Sequence, residues 1–172
     1  MMNIVLIGYR GTGKSAIAQI LAERLSMRVA GMDAEISKRA GKAIPEIVEE
    51  SGWDHFRDLE SEVAADFGAE DGLIIDAGGG VIVRPRNIEN LKGNGIVFWL
   101  TADENTIVDR IKDDTQRPSL SGSKSFVDEI AEILAERTPK YRAAADHTID
   151  TAKNSADEAA KAIADIFLAR SG

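Results

Sequence analysis

The residues with the clearest chemistry form a glycine-rich run near the start of the chain, Gly8-Tyr9-Arg10-Gly11-Thr12-Gly13-Lys14-Ser15. The pattern G-x-x-x-x-G-K-[ST] is typical of a loop whose backbone N–H groups surround the phosphates of a nucleoside triphosphate. Glycines in such a loop let the backbone approach phosphate oxygens closely. We expect Lys14 to reach the β- and γ-phosphates and the Ser15 hydroxyl to hold Mg²⁺.

The segments on either side of this loop support the same interpretation. Residues 2–7 form an apolar run that predicts a buried parallel strand, and residues 16–25 carry apolar side chains at helical spacing. The loop therefore leads into a helix N-terminus, whose free N–H groups and dipole favour anions. We predict that the triphosphate is bound by consecutive residues of the loop and the helix start, namely Gly11, Thr12, Gly13, Lys14, Ser15 and Ala16.

The composition is that of an ordinary globular protein, and it restricts the partners. Of the 172 residues 44% are hydrophobic, and 21 basic against 29 acidic residues give a net charge of −8. This acidity argues against a surface for nucleic acid or anionic membrane. The absence of cysteine argues against a disulfide framework and a Cys-based zinc site.

The distribution of apolar residues leads to expectations for the protein's location and oligomeric state. No apolar stretch is long enough to span a bilayer, and the chain enters its first strand with no room for a signal peptide. A cytoplasmic protein is therefore expected. A monomer is the default expectation because the sequence shows no obvious exposed apolar stripe.

Alternating strand and helix patterns predict one α/β domain over residues 1–172. The predicted strands lie at 3–7, 28–32, 73–77, 96–100 and 148–149. The predicted helices lie at 14–25, 33–40, 44–50, 54–67, 85–92, 103–112, 126–144 and 155–170. This order predicts a three-layer α/β/α fold, with a five-stranded parallel sheet covered by helices on both faces.

Residues 112–125 differ from the rest of the chain because they are polar, contain Gly and Pro, and lack periodicity. A loop of this length in a compact domain is usually functional or disordered. We predict a mobile lid over the phosphates, since phosphoryl transfer requires the exclusion of water. Arg117 within this segment is the candidate cation for the γ-phosphate.

Further segments, in order along nearly the whole chain, resemble those of the shikimate kinase family. The similar segments are residues 32–44 after the second strand, the F-R-x-x-E pattern at 56–60, the Asp-Ala-Gly-Gly-Gly run at 76–80, Arg117-Pro118, and the E-R-x-x-x-Y pattern at 136–141. The resemblance implies a P-loop NTPase fold of the nucleoside-monophosphate-kinase type. It also implies ATP-dependent phosphorylation of the 3-hydroxyl of shikimate, which gives 3-phosphoshikimate and ADP.

The resemblance assigns an acceptor site, and the side-chain chemistry suits each role. Arg57 and Arg137 match the family's carboxylate-binding arginines, and guanidinium groups pair bidentately with carboxylates. Asp33 matches the family's hydroxyl-binding aspartate, which could also take the proton of the attacking oxygen. Glu60 is expected to orient Arg57 from one helical turn away.

The remaining assignments concern the glycine run, the nucleotide and the lid. Residues Gly78, Gly79 and Gly80 match the family's substrate loop, where a missing Cβ lets the backbone approach the ring. Arg110 matches a position near the adenine, and Arg117 matches the lid arginine. The resemblance thus implies Lys14, Asp33 and Arg117 as catalytic residues, and a helical substrate-binding region at about residues 33–60.

One position departs from the family pattern. The family usually carries Asp-x-Asp after the second strand, where this chain has Gly31-Met32-Asp33, and the missing carboxylate lies near the magnesium in the family. The apolar run at 73–75 ends in Asp76, a pattern in which P-loop enzymes hold Mg²⁺ or its waters. We hypothesise that Ser15 and Asp76 together form the metal site. The alternative is that Asp76 only caps the loop that follows.

Two other functions stay open at this level. One is a P-loop kinase for another small carboxylated polyol such as gluconate, or for a nucleoside monophosphate. The other is a module that binds ATP without turnover. Two arginines in one pocket favour an anionic acceptor over a nucleobase. The complete set of Lys14, Ser15 and Arg117 favours catalysis, because a non-catalytic module has no need of it.

Overall fold

A five-stranded parallel sheet forms the centre of the protein, whose computed structural model describes residues 1–112 and 126–171. The strands are β1 (Asn3–Ile7), β2 (Arg28–Gly31), β3 (Leu73–Asp76), β4 (Gly95–Thr101) and β5 (His147–Asp150), in the spatial order β2-β3-β1-β4-β5. The predicted fold class and the five predicted strands are confirmed. Residues 113–125, which hold most of the predicted lid and Arg117, lie outside the described residues.

Helices connect the strands and cover both faces of the sheet. Those in the described part of the chain are α1 (Lys14–Leu25), α2 (Met32–Ala40), α3 (Ile44–Gly68), α4 (Pro85–Lys92), α5 (Glu104–Ile111), α6 (Phe126–Ala144) and α7 (Ala156–Ser171). A short 3₁₀ helix at Val81–Val83 was not predicted, because three residues carry no detectable periodicity. Within the described residues, none of the helices is both long and apolar enough to cross a membrane.

The three inner strands β1, β3 and β4 are largely apolar because both faces of the sheet are buried there. Val5 and Ile7 pack with residues of α2, α3 and α4 on one face. Their neighbours Ile4 and Leu6 pack with residues of α1 and α7 on the other face. This alternation within β1 follows from the period of two in a strand. Since β1 lies between the two helical layers, the loop that follows it starts between them as well.

The parallel register brings the ends of three strands to the same edge of the sheet. Leu6 of β1 and Gly31 of β2 are both Cα partners of Asp76, the last residue of β3. The glycine-rich loop follows β1, and the run Gly78–Gly80 follows β3. Ligands of open α/β sheets bind at the carboxyl ends of the strands, so this edge is where the site is expected.

Gly52 divides α3 into two helical parts that the sequence predicted as separate helices. Its φ of 84° and ψ of 169° lie in a region that is essentially reserved for glycine. An ideal Cβ at Gly52 meets nothing within 4 Å, so a side chain there would act through the backbone alone.

We expect Gly52→Ala to lower the free energy of unfolding by about 3 kcal/mol, the upper end of the usual cost of such a backbone conformation. Gly41→Ala is the matched control. Gly41 also has open space for a Cβ, but its φ of 70° and ψ of 21° lie in the left-handed helical region, where alanine costs about 1 kcal/mol. Urea unfolding of both variants measures the difference, and equal losses would contradict the backbone argument.

Candidate active site

The loop between β1 and α1 has the backbone conformation of an anion-binding loop. Gly8, Gly11 and Gly13 have φ values of 145°, 84° and 94°, in the region that favours glycine. Helix α1 begins at Lys14, so its first N–H groups have no partner within the helix and are available to phosphate oxygens. The loop therefore combines oriented N–H groups with the positive end of a helix.

Lys14 is buried and its ammonium group is held by the loop itself. Its Nζ donates to the carbonyl oxygens of Gly8 at 2.8 Å and Tyr9 at 3.1 Å. The Thr12 hydroxyl also donates to the Tyr9 carbonyl, at 2.8 Å. These bonds fix the cation inside the loop, where a bound phosphate would meet it.

A cavity of about 520 Å³ opens beside this loop and collects side chains from three strand ends. Lys14 and Ser15 line it from α1, Asp33 from α2, and Asp76 from the end of β3. The remaining lining comes from Arg10, Gly11, Gly13, Ala16, Gly31, Met32, Ala34, Ala77, Gly78 and Gly79. The residues predicted for the phosphates and those predicted for the acceptor hydroxyl thus share one cavity.

Ser15 and Asp76 are in direct contact, although 61 residues separate them in the chain. The Ser15 hydroxyl donates to Asp76 Oδ2 at 2.7 Å. Gly31, which lines the same cavity, is the strand partner of Asp76 in the sheet. The carboxylate at the end of β3 therefore lies on the neighbouring strand, directly beside the position where this chain has glycine.

Arg57 is a buried cation held in a defined position. Its side chain is on α3, and its Nη1 donates to Glu60 Oε1 at 2.9 Å, one helical turn away. Glu60 is fully buried, while Arg57 is 8% exposed. The guanidinium also lies 5.3 Å from the ring centres of Trp53 and Phe56. The structure thus places Glu60 where it can orient Arg57, as the sequence predicts.

Arg137 reaches the same region from α6. It is 9% exposed and, together with Arg57 and Trp53, lines a second cavity of about 400 Å³. The run Gly78–Gly80 after β3, called the glycine loop from here on, lies close to both guanidinium groups. An ideal Cβ at Gly79 would lie 3.9 Å from Arg137 Nη1, and one at Gly80 would lie 2.1 Å from Arg57 Nη1. The loop therefore joins the two arginines to the phosphate cavity, which Gly79 also lines.

Arg110 lies at the rim of the phosphate loop. Its Nη1 donates to the Gly11 carbonyl at 2.9 Å and to Thr151 Oγ1 at 3.2 Å, and its Nη2 donates to the Thr151 carbonyl at 3.0 Å. The guanidinium thus connects the P-loop to the loop after β5. This is a position at the edge of a nucleotide site, outside the lining of the 520 Å³ cavity.

The structure adds residues for which the sequence predicted no role. Arg10 lines the phosphate cavity, and a cation inside the glycine motif was a signal that could have identified it. Tyr141 donates a hydrogen bond to the Gly79 carbonyl, 62 residues away in the chain. Trp53 lies against Arg57. The contacts of Tyr141 and Trp53 depend on how helices pack, so neither carries a signal in the sequence beyond its motif.

Comparison with known proteins identifies one family. The family model "Shikimate kinase" matches residues 10–167. The shikimate kinase of Dehalococcoides mccartyi is 39% identical over 163 residues, which cover 95% of this chain and 92% of that protein. That of Syntrophus aciditrophicus is 41% identical over 167 residues, with 91% and 86% covered.

A solved structure gives the same result at the level of the fold. The shikimate kinase of Acinetobacter baumannii in complex with shikimate superimposes with a TM-score of 0.92 and 32% identity, over 99% of this chain and 94% of that one. Both the sequence match and the structural match extend over nearly the whole chain. This chain therefore belongs to the shikimate kinase family.

Proposed function

We propose that this protein transfers the γ-phosphoryl group of ATP to the 3-hydroxyl of shikimate, giving 3-phosphoshikimate and ADP. The observation that carries the proposal is the pair of buried arginines that lie close to the glycine loop, beside a phosphate cavity that Asp33 also lines. The relative from Acinetobacter baumannii was solved with shikimate, which supports the same acceptor here.

The acceptor is a small carboxylated triol, and the two ends of the site suit its two kinds of polar group. Arg57 and Arg137 bind the carboxylate through charge-assisted hydrogen bonds, with Glu60 orienting Arg57. Gly78, Gly79 and Gly80 form the wall against which the ring lies. Asp33, half-buried at the start of α2, accepts hydrogen bonds from the hydroxyls at the phosphate end.

The reaction itself depends mainly on positioning and electrostatic stabilisation, because the transition state of phosphoryl transfer is loose. Lys14 and the N–H groups of residues 11–16 hold the phosphates and counter the charge on the transferring group. Asp33 orients the attacking hydroxyl and accepts its proton, a smaller contribution. Arg117, the third proposed catalytic residue, lies outside the described residues. Arg110 is proposed to contact the nucleotide from the rim of the loop.

The residues at the end of β3 fit a magnesium ion that accompanies ATP. Mg²⁺ prefers oxygen ligands and is usually bound by one or two protein oxygens together with phosphates and waters. The adjacent Ser15 hydroxyl and Asp76 carboxylate supply such oxygens. When bound, Mg²⁺ neutralises charge on the β- and γ-phosphates.

The organisation of the chain follows from the same proposal. We propose that residues 1–172 act as one domain, with an acceptor-binding helical region at about residues 33–60 and a lid at about residues 112–125. We also propose that the enzyme works as a cytoplasmic monomer. The acidic composition supports a protein without a surface for nucleic acid or anionic membrane.

Coupled measurement of ADP release tests the proposed reaction. With ATP and Mg²⁺, we expect rapid ADP release with shikimate and background rates with gluconate, quinate and CMP, since the site is built for one arrangement of carboxylate and hydroxyls. Mass spectrometry of the product checks that one phosphoryl group has been added to shikimate. Folded protein that releases no ADP in response to shikimate would contradict the proposal.

A further inference from the structure

We propose that Tyr141 is a positioning residue of the acceptor site, which holds the glycine loop in the place where Arg57 and Arg137 can bind the substrate. The inference rests on the proposed function, because it concerns the same acceptor. It assigns a task to a buried hydroxyl on α6 that lies outside the residues proposed to touch either substrate.

The first observation is a hydrogen bond between distant parts of the chain. The Tyr141 hydroxyl donates to the carbonyl oxygen of Gly79. Tyr141 is 1% exposed, and its ring stacks on that of Trp99 in β4 with 5.9 Å between ring centres and 22° between planes. Packing against Trp99 therefore holds the phenol in place independently of the loop, so its O–H group has a fixed position.

The second observation is the position of Tyr141 relative to Arg137. The two residues are four apart on α6, so their side chains leave the same face of the helix. Burial raises the pKa of Tyr141, and the charge of the Arg137 guanidinium lowers it by a smaller amount. One helix thus supplies both a carboxylate-binding cation and the bond that positions the loop beside it.

The hydroxyl can donate a hydrogen bond to the Gly79 carbonyl only while it keeps its proton. Burial raises the pKa of Tyr141 to about 12. The phenol therefore stays protonated at neutral and moderately alkaline pH, and the contact with Gly79 persists across the range in which the enzyme would be assayed.

The position of the loop affects how Arg57 and Arg137 can approach a carboxylate. The Gly79 carbonyl and the Gly80 N–H belong to one planar peptide group, so fixing the first also fixes the second. Gly80 lies so close to Arg57 that an ideal Cβ would be 2.1 Å from its Nη1. A loop that shifted by a fraction of an ångström would change the approach of both guanidinium groups to a carboxylate.

Tyr141→Phe tests the inference, because it keeps the ring and its stacking on Trp99 and removes only the hydroxyl. We expect the KM for shikimate to rise by about three- to tenfold, the effect of one lost hydrogen bond, with the KM for ATP unchanged. The ratio to wild type should be the same between about pH 6 and pH 9, since the phenol does not ionise there. Amide hydrogen exchange of a peptide covering residues 78–82 should become faster in the absence of any substrate.

Thr138→Val is the matched control. The Thr138 hydroxyl donates to the Leu134 carbonyl of the same helix at 2.6 Å, so its loss removes an α6 hydroxyl bond that does not reach the loop. Wild-type KM for shikimate and wild-type exchange of residues 78–82 are expected for this variant.

The outcomes separate this inference from the proposed function. Wild-type enzyme that is inactive with shikimate would overturn the proposed function, while faster exchange in Tyr141→Phe would still support the contact with the loop. Active wild type with unchanged shikimate KM in Tyr141→Phe would overturn the inference alone. Equal increases in both KM values, or the same increase in Thr138→Val, would also overturn it, since either result indicates general loosening of α6.

Discussion

Gly80→Ala is expected to raise the KM for shikimate by about 100-fold and to leave the KM for ATP near its wild-type value. The added Cβ would lie 2.1 Å from Arg57 Nη1 and 2.5 Å from its Cζ, which is impossible without movement. The guanidinium is the far end of a flexible side chain, so we expect it to move away from its place beside Glu60 while the backbone stays. Two charge-assisted hydrogen bonds to a carboxylate are worth about 3 kcal/mol together, which corresponds to about 100-fold in affinity.

The backbone of Gly80 gives no other reason for a large effect. Its φ of −96° and ψ of 11° are accessible to alanine, so the fold should tolerate the substitution. Urea unfolding checks this point, and a substantial loss of stability would show that the effect is structural. Tryptophan fluorescence during titration with shikimate offers a second readout, because one of the two tryptophans, Trp53, has its ring centre 5.3 Å from the Arg57 guanidinium.

Gly79→Ala is the comparison variant. Its Cβ would lie 3.5 Å from the Arg10 nitrogen and 3.9 Å from Arg137 Nη1, which are ordinary contacts. We expect an increase in shikimate KM that is at least tenfold smaller than that of Gly80→Ala, because no cation has to leave its place. Equal effects in the two variants would contradict the argument from Arg57.

Asp76→Ala is expected to raise the Mg²⁺ concentration needed for half-maximal turnover by about 10- to 100-fold, the range seen when a carboxylate that orients a metal or its ligands is removed. The Ser15 hydroxyl is bonded to Asp76, so the substitution removes a negative charge and also frees the hydroxyl to rotate. Binding of Mn²⁺ to the complex with ADP, followed by electron paramagnetic resonance, should weaken in parallel. That measurement does not depend on turnover.

Asp71→Ala is a suitable control, because Asp71 is an exposed carboxylate just before β3 whose bond to Asn94 lies at the other end of the strand. It should show wild-type dependence on Mg²⁺. The same result for Asp76→Ala would favour the alternative that Asp76 only caps the loop after β3.

A second carboxylate position allows a stronger test of the metal site. Gly31 is the strand partner of Asp76 and lines the same cavity, and an ideal Cβ there approaches only Ala34 Cβ, at 3.7 Å. Gly31→Asp should therefore be tolerated. Combined with Asp76→Ala, it should recover most of the lost Mg²⁺ affinity, because the negative charge returns to the same end of the sheet. A double variant no better than Asp76→Ala would show that the two positions are not equivalent.

The sequence by itself determined the local elements and the class of ligand. The inner strands β1, β3 and β4 are largely apolar runs because both faces are buried, so their type and approximate bounds could be predicted from the residue pattern. The P-loop could also be predicted from the sequence. Its residues are consecutive, and the glycines, the lysine and the serine all act on one ligand from one turn of chain.

The acceptor site is made differently, from single residues on separate elements. Arg57, Gly80 and Arg137 were assigned through their motifs, but nothing in those motifs says which of them touch. Their convergence depends on the strand order β2-β3-β1-β4-β5, which brings the loop after β3 beside α3 and α6. The periodicity of a segment reports which face is buried and carries no information about the partner that buries it.

The contacts that only the tertiary structure decided are the long-range ones, between Ser15 and Asp76 and between Tyr141 and Gly79. The sequence suggested the first from an acidic strand end and gave no signal for the second. Each joins residues more than 60 positions apart, through the register of parallel strands or the packing of a helix against a loop. The physical reason is that hydrogen-bond partners are selected by geometry to within an ångström, whereas patterns of residue type locate an element only along the chain.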